Sequence, residues 1–173
     1  MKGSRPASFH RRVTVSLLLT AILTVGLAGA TIAHPLGNFT INHFARIETG
    51  TERVLIHYVV DMAEIPTLQE LQGMNADANE EPSDETLRAY LERVAPQYAD
   101  GILLTIDNKK VPLQVIAKDI KLIPGSGGLP ILRVECDFGG KVPAGSRGAA
   151  RRLRFEDTNH PDRIGWHEIV VNP

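Results

Sequence analysis

Histidine is the residue type whose placement in this sequence most suggests chemistry. Five of the six histidines follow residue 33: His34, His43, His57, His160 and His167. Their spacings match neither a zinc finger nor the helical motif of zinc proteases. His34 stands out because it directly follows a predicted export signal. If the signal is cleaved after residue 33, His34 becomes the first residue of the exported protein.

An N-terminal histidine brings two nitrogen ligands to one point, its α-amine and a ring nitrogen. The α-amine has a pKa of about 8 and can lose its proton to a metal near neutral pH. Amine and imidazole nitrogens suit nickel, cobalt, copper and zinc. His43 is the nearest further candidate by sequence, and whether His57, His160 or His167 could contribute depends on how the strands fold back. The sequence therefore predicts a divalent-metal site (Ni, Co or Cu) containing His34 and His43. The alternative is that His43 is a core histidine and that the protein has no cofactor.

Two other groups of polar residues were considered for chemistry. The segment 156–168 is rich in possible ligands but does not match a calcium loop, and we interpret it as a loop whose polar side chains satisfy the backbone. Asp61 and Glu64 leave one strand end together and could serve as an acid–base pair. The sequence offers them no nucleophile, nucleophile elbow or phosphate loop, so we expect no enzyme activity.

The first 33 residues have the pattern of a secretory signal peptide. A basic stretch over 1–12 precedes an apolar run over 13–30, and a small-x-small cleavage pattern ends at Ala33. We therefore expect an exported protein, periplasmic or on the cell surface, with one extracytoplasmic domain over 34–173. The alternative is an uncleaved segment that would anchor the domain in the membrane.

Charge and cysteine content narrow the possible partners. The whole chain has a net charge of −1, and because residues 1–33 hold four basic and no acidic residues, the remainder carries about −5. This charge argues against nucleic acid as a partner and mildly favours cations. Cys136 is the only cysteine, so no internal disulfide can form, and we interpret it as a small buried apolar residue.

The hydrophobic pattern predicts a mainly β fold. Residues 38–48 and 52–62 alternate as two strands of a hairpin. Helical patterns then follow over about 64–100, with Ser83 as a helix cap and Pro96 as an expected end or kink. Short strand-like runs separated by turns occupy the rest. This order predicts an immunoglobulin-like β-sandwich with a helical insertion between the second and third strands.

Three blocks of the sequence resemble one family. His34–His43, Tyr58–Thr67 and Arg163–Val170 are similar to the extracytoplasmic N-terminal region of bacterial nickel/cobalt transporters of the high-affinity nickel-transport family. The resemblance covers most of 34–171. It implies a non-enzymatic accessory or binding domain whose partners are the transporter's membrane helices. The sequence ends before any such helices, so we expect either part of a longer transporter or a free-standing relative.

Two other functions remain open at this point. One is a free-standing periplasmic copper-binding protein that uses His34, by a looser analogy with copper-binding sandwiches that begin with a mature histidine. The other is a structural or partner-binding module without a metal. A second ligand beside His34 in space would favour the metal functions, whereas apolar partners around a buried His34 would favour the structural one.

Overall fold

The computed structural model describes residues 36–74, 82–145 and 150–172; the predicted signal peptide and His34 lie outside them. Within these ranges the chain forms eight strands and two α-helices. In chain order they are β1 Ile41–Thr49, β2 Arg53–Met62, α1 Glu64–Gly73, α2 Asp84–Gly101, β3 Ile102–Ile106, β4 Lys109–Lys110, β5 Gln114–Pro124, β6 Pro130–Lys141, β7 Leu153–Asp157 and β8 His167–Asn172. Short 3-10 turns lie at Leu36–Phe39 and Ser126–Gly128.

The hairpin predicted at the start of the domain is confirmed. β1 and β2 pair antiparallel from Ile41 opposite Met62 to Thr49 opposite Val54. Alternate residues of both strands are buried, which is the period-2 pattern expected for strands with one face on a core. The same alternation places His43 on the inner face of β1, where it is 2% exposed.

The strands form two sheets. The larger has the order β5-β6-β2-β1-β8, and the smaller has the order β4-β3-β7. Neighbours pair antiparallel except β1 and β8, which are parallel and place His43 opposite His167. Side chains from both sheets and from α2 join one buried apolar cluster. The mainly β prediction is thus confirmed, while the assignment to the immunoglobulin type stays a prediction.

The helices lie between β2 and β3, as predicted. Ser83 caps α2 by accepting a hydrogen bond from the Thr86 backbone at 3.2 Å. The helix continues past Pro96 to Gly101, so the predicted end at this proline is wrong. Proline removes one backbone donor, and burial of Val94 and Tyr98 on either side of it holds the last turns against the core.

Candidate metal centre

A buried histidine–aspartate pair joins the two sheets. His43 comes from β1 of the large sheet, and Asp157 is the last residue of β7 in the small sheet. Nδ1 of His43 lies 2.6 Å from Oδ2 of Asp157, and the two side chains are only 3% and 5% exposed. This is the distance of a short, charge-assisted hydrogen bond, donated by the ring N–H to the carboxylate.

Asp157 accepts further hydrogen bonds from two neighbours. The hydroxyl of Tyr58 on β2 donates to Oδ2 at 2.9 Å. Asn159 donates to Oδ1 from both its backbone N–H and its side-chain amide, each at 2.9 Å. Burial acts to raise the pKa of Asp157. The opposing effects are larger and hold this pKa below its usual range; in order of size they are the hydrogen bond from His43, the bond from the Asn159 N–H, the charge of His43 and the bond from Tyr58. Asp157 is therefore a buried, ionised carboxylate at neutral pH.

Tyr58 lies at the centre of the same network. Its hydroxyl is 3.1 Å from Nδ1 of His43 and accepts a bond from the Asn159 amide, also at 3.1 Å. Burial, together with the charge and hydrogen bond of Asp157, raises the pKa of Tyr58. The phenol consequently stays protonated and acts as a donor to the carboxylate.

His167 connects this buried network to the surface. It starts β8, and its ring centre lies 4.3 Å from that of His43. Its Nδ1 is 3.5 Å from Oδ2 of Asp157, and its side chain is 41% exposed. His43, Asp157 and His167 each offer one ligand atom within 4.8 Å of the others, a spacing at which they could hold a metal ion. Because His167 is partly exposed, the cluster is accessible from solvent at one side.

A third histidine borders the cluster. The ring of His160 lies 5.7 Å from that of His43 and meets it edge-on, and its Nε2 is 3.3 Å from the Tyr98 hydroxyl. Burial lowers the pKa of His160, and the neighbouring His43 lowers it further. The backbone of His160 has φ = 49°, in the left-handed region that few non-glycine residues adopt. His160 therefore packs against the cluster as a mainly neutral ring.

The segment from Asp157 to His167 is fastened at several points. The hydroxyl of Thr158 donates to the Gly101 carbonyl at 2.7 Å, and Arg163 donates to Gln69 of α1 at 2.7 Å. The approach to β1 is close at Gly165, where a Cβ would stand 1.8 Å from the Ile41 carbonyl oxygen. Only glycine fits there, so this contact fixes the position from which β8 begins.

The structure brings together one of the two predicted metal residues, His43, with two possible ligands from the polar segment 156–168. His43 lies in the cluster, whereas His34 is outside the described residues. Asp157 and His167 belong to the segment 156–168, which we had interpreted as an ordinary loop. Its density in histidine and aspartate was the available signal, and its meaning depended on the parallel pairing of β8 with β1.

The other residues considered for chemistry lie elsewhere. Asp61 binds Arg133 through two hydrogen bonds of 2.6 and 2.7 Å. Glu64 accepts the Ser126 N–H at 2.7 Å, and this bond lowers the pKa of Glu64. Cys136 is buried, and burial raises the pKa of its thiol to about 12. Each of these groups has a structural partner or environment outside the His43 cluster.

Comparison of the chain with family models, with curated proteins and with solved structures gave no match. Among the residues that the structure describes, no helix is both long and apolar enough to cross a membrane.

Proposed function

We propose that this protein is an exported, non-enzymatic domain that binds a divalent transition metal and serves nickel or cobalt transport. The observation that supports this most is the placement of His43, Asp157 and His167 within 4.8 Å of one another. Imidazole nitrogens bind nickel, cobalt, copper and zinc in preference to the oxygen-seeking ions calcium and magnesium. The excess of acidic residues after position 33 favours attraction of cations.

The predicted N-terminal histidine would strengthen such a site. A processed His34, which lies outside the described residues, would offer its α-amine and a ring nitrogen as two further nitrogen donors beside the two imidazoles. Four nitrogen donors would suit nickel or copper especially well.

The link to transport comes from the resemblance of the three sequence blocks described above. In this proposal the domain stands outside the membrane and presents the ion to, or receives it from, membrane helices of a transporter. A free-standing copper-binding protein is the second candidate, because copper occupies the top of the affinity order for nitrogen ligands. Selectivity for copper with no effect on nickel or cobalt movement would favour that candidate.

Calorimetric titration of the purified exported protein with Ni²⁺, Co²⁺ and Cu²⁺ tests the proposal. We expect one strong site, and we expect His167→Asn to raise its Kd by at least about tenfold, since a lost ligand should cost no less than a lost outer partner. His57→Asn is the matched control, because His57 is also a partly exposed histidine beside an aspartate. Absence of binding in the unaltered protein would leave the structural role as the remaining function.

The contribution of His34 needs a separate variant. One extra residue placed before the processed N-terminus converts the α-amine into an amide, which removes a ligand without touching the folded domain. We expect a clear loss of affinity, larger for copper and nickel than for cobalt. Equal affinity with and without the added residue would exclude His34 while leaving the His43 cluster in place. Cellular nickel and cobalt uptake in a His167→Asn strain then tests the association with transport.

A further inference from the structure

The carboxylate of Asp157 is already fully used as a hydrogen-bond acceptor. Oδ2 accepts from His43 and Tyr58, and Oδ1 accepts twice from Asn159. A carboxylate has about four lone-pair sites, so these four bonds occupy all of them. An ion could bind Oδ2 of Asp157 only by breaking the bond from His43 or from Tyr58, and that buried donor would then lose its carboxylate partner.

The distance between Asp157 and His43 also belongs to a hydrogen bond. Two atoms bound to one transition-metal ion at about 2.0–2.2 Å each are separated by roughly 2.8–3.5 Å. Nδ1 of His43 and Oδ2 of Asp157 are 2.6 Å apart, closer than such a pair of ligands. The geometry is that of a histidine oriented by a carboxylate, an arrangement common around protein-bound metals.

This hydrogen bond determines which nitrogen of His43 is free to bind an ion. A histidine ring that binds an ion is neutral. If the ring proton that His43 keeps is the one on Nδ1 donated to Asp157, its lone pair is on Nε2. We infer that the ion binds Nε2 of His43 and a ring nitrogen of His167, and that Asp157 stays outside the coordination sphere as a positioning residue. This inference rests on the proposed metal-binding function and specifies its donor set.

The donor set has a consequence for the choice of metal. If Asp157 does not coordinate, the described residues of the cluster offer the ion imidazole nitrogen and no carboxylate oxygen. Nitrogen donors favour Ni²⁺, Cu²⁺, Zn²⁺ and Co²⁺, whereas Mn²⁺ stands lowest in the affinity order and prefers oxygen. We therefore expect Mn²⁺ to bind at least about a hundredfold more weakly than Ni²⁺.

Nuclear magnetic resonance of the unaltered protein with ¹⁵N-labelled histidine tests the inference without any substitution. Zn²⁺ is the probe because it is diamagnetic and binds imidazole. We expect Zn²⁺ to shift Nε2 of His43 and one ring nitrogen of His167, while Nδ1 of His43 keeps its proton. A metal shift at Nδ1 of His43 would overturn the inference but not the proposed function. No shift at any histidine would instead overturn the proposed function.

Pulsed electron paramagnetic resonance of the Cu²⁺ protein supplies the second test. In Asp157→Asn we expect both imidazoles to stay bound to Cu²⁺. The signal of the remote ring nitrogen, Nδ1 of His43, should change because its hydrogen bond weakens. The Kd should rise about 10- to 100-fold. Asp137→Asn, in the exposed pair with His57, is the matched control and should leave both signals unchanged. Loss of an oxygen ligand from the copper spectrum in Asp157→Asn would show that Asp157 coordinates. A shift in unfolding alone, with an unchanged remote nitrogen signal, would also count against a positioning role.

Discussion

Among the residues that the structure describes, two histidine–aspartate hydrogen bonds have nearly the same length and lie on opposite faces of the large sheet. Inside, His43 and Asp157 are 2.6 Å apart, and their side chains are 3% and 5% exposed. Outside, His57 and Asp137 are 2.8 Å apart, and theirs are 30% and 52% exposed. The outer pair joins residues directly opposite each other on β2 and β6, whereas the inner pair joins different sheets.

The difference lies in what surrounds each carboxylate. Water can solvate Asp137, so its partner adds little to the free energy of folding. Asp157 has lost that water and depends on donors from His43, Tyr58 and Asn159. Similar contact distances thus have different energetic meaning, and only the inner pair has the rigid, water-poor surroundings that position a ligand.

Replacement of the inner aspartate should have the largest effect. Asp157→Ala leaves buried donors without partners, and we expect a loss of about 3–5 kcal/mol in the free energy of unfolding, the cost typical of breaking a buried charged pair. Asp137→Ala is the matched variant and should cost far less. Urea denaturation of the metal-free proteins measures both values. Comparable losses from the two variants would show that burial does not distinguish the pairs.

Removal of the Tyr58 hydroxyl should have the next largest effect. Tyr58→Phe keeps the buried ring but deprives Asp157 of one donor and Asn159 of one acceptor. We expect a loss of about 1–3 kcal/mol in the free energy of unfolding. A double-mutant cycle with Asp157→Asn should show that the two losses are not additive, because both residues share one hydrogen-bond network. Strict additivity would mean that the network is not a unit.

Much of the architecture followed from local pattern. Alternation over β1 and β2 predicted the hairpin, and the Ser83 cap with its following apolar stripe predicted α2. These features depend on neighbours in the sequence, so their physical causes are visible there. The predicted helix end at Pro96 was wrong because packing on both sides of it outweighs one lost backbone donor.

The candidate site was harder to predict because it is formed by long-range pairing. His43 and Asp157 are 114 residues apart, and His167 reaches them only through the parallel pairing of β8 with β1. The periodicity of hydrophobic residues in a strand does not predict that the strand will pair in parallel at the edge of a sheet. The ligand-rich composition of 156–168 was visible, but composition alone could not distinguish a solvated loop from one that delivers Asp157 and His167 to a buried histidine.

Low pH should reduce the contribution of Asp157 to the free energy of unfolding, and with it the difference in stability between the inner and outer pairs. Burial acts to raise the pKa of Asp157 in the folded protein. The hydrogen bond from His43 and the other donors outweigh burial and hold this pKa below its ordinary value. Its contribution to stability is therefore fully present above the unfolded pKa of about 3.9 and is lost as pH falls through the folded pKa. The stability gap between the metal-free unaltered protein and Asp157→Asn should therefore shrink as the pH falls below about 4. A gap that widens in acid would contradict this sign.

We expect the smallest change in the free energy of unfolding when the outer pair, His57 and Asp137, is altered. This variant also gives the sharpest test of the difference between the two pairs. Asp137→Asn should change the free energy of unfolding by no more than about 1 kcal/mol, because an exposed pair gains little from its Coulomb attraction.

Whatever coupling exists between His57 and Asp137 should decline in 1 M salt, where the Debye length is about 3 Å. The coupling of Asp157 with Tyr58 should persist at that salt concentration, since its groups are shielded from mobile ions. A double-mutant cycle for each pair at low and high salt measures the contrast. Salt sensitivity of the inner coupling would mean that solvent reaches Asp157 and that His43 is not held by a water-poor network.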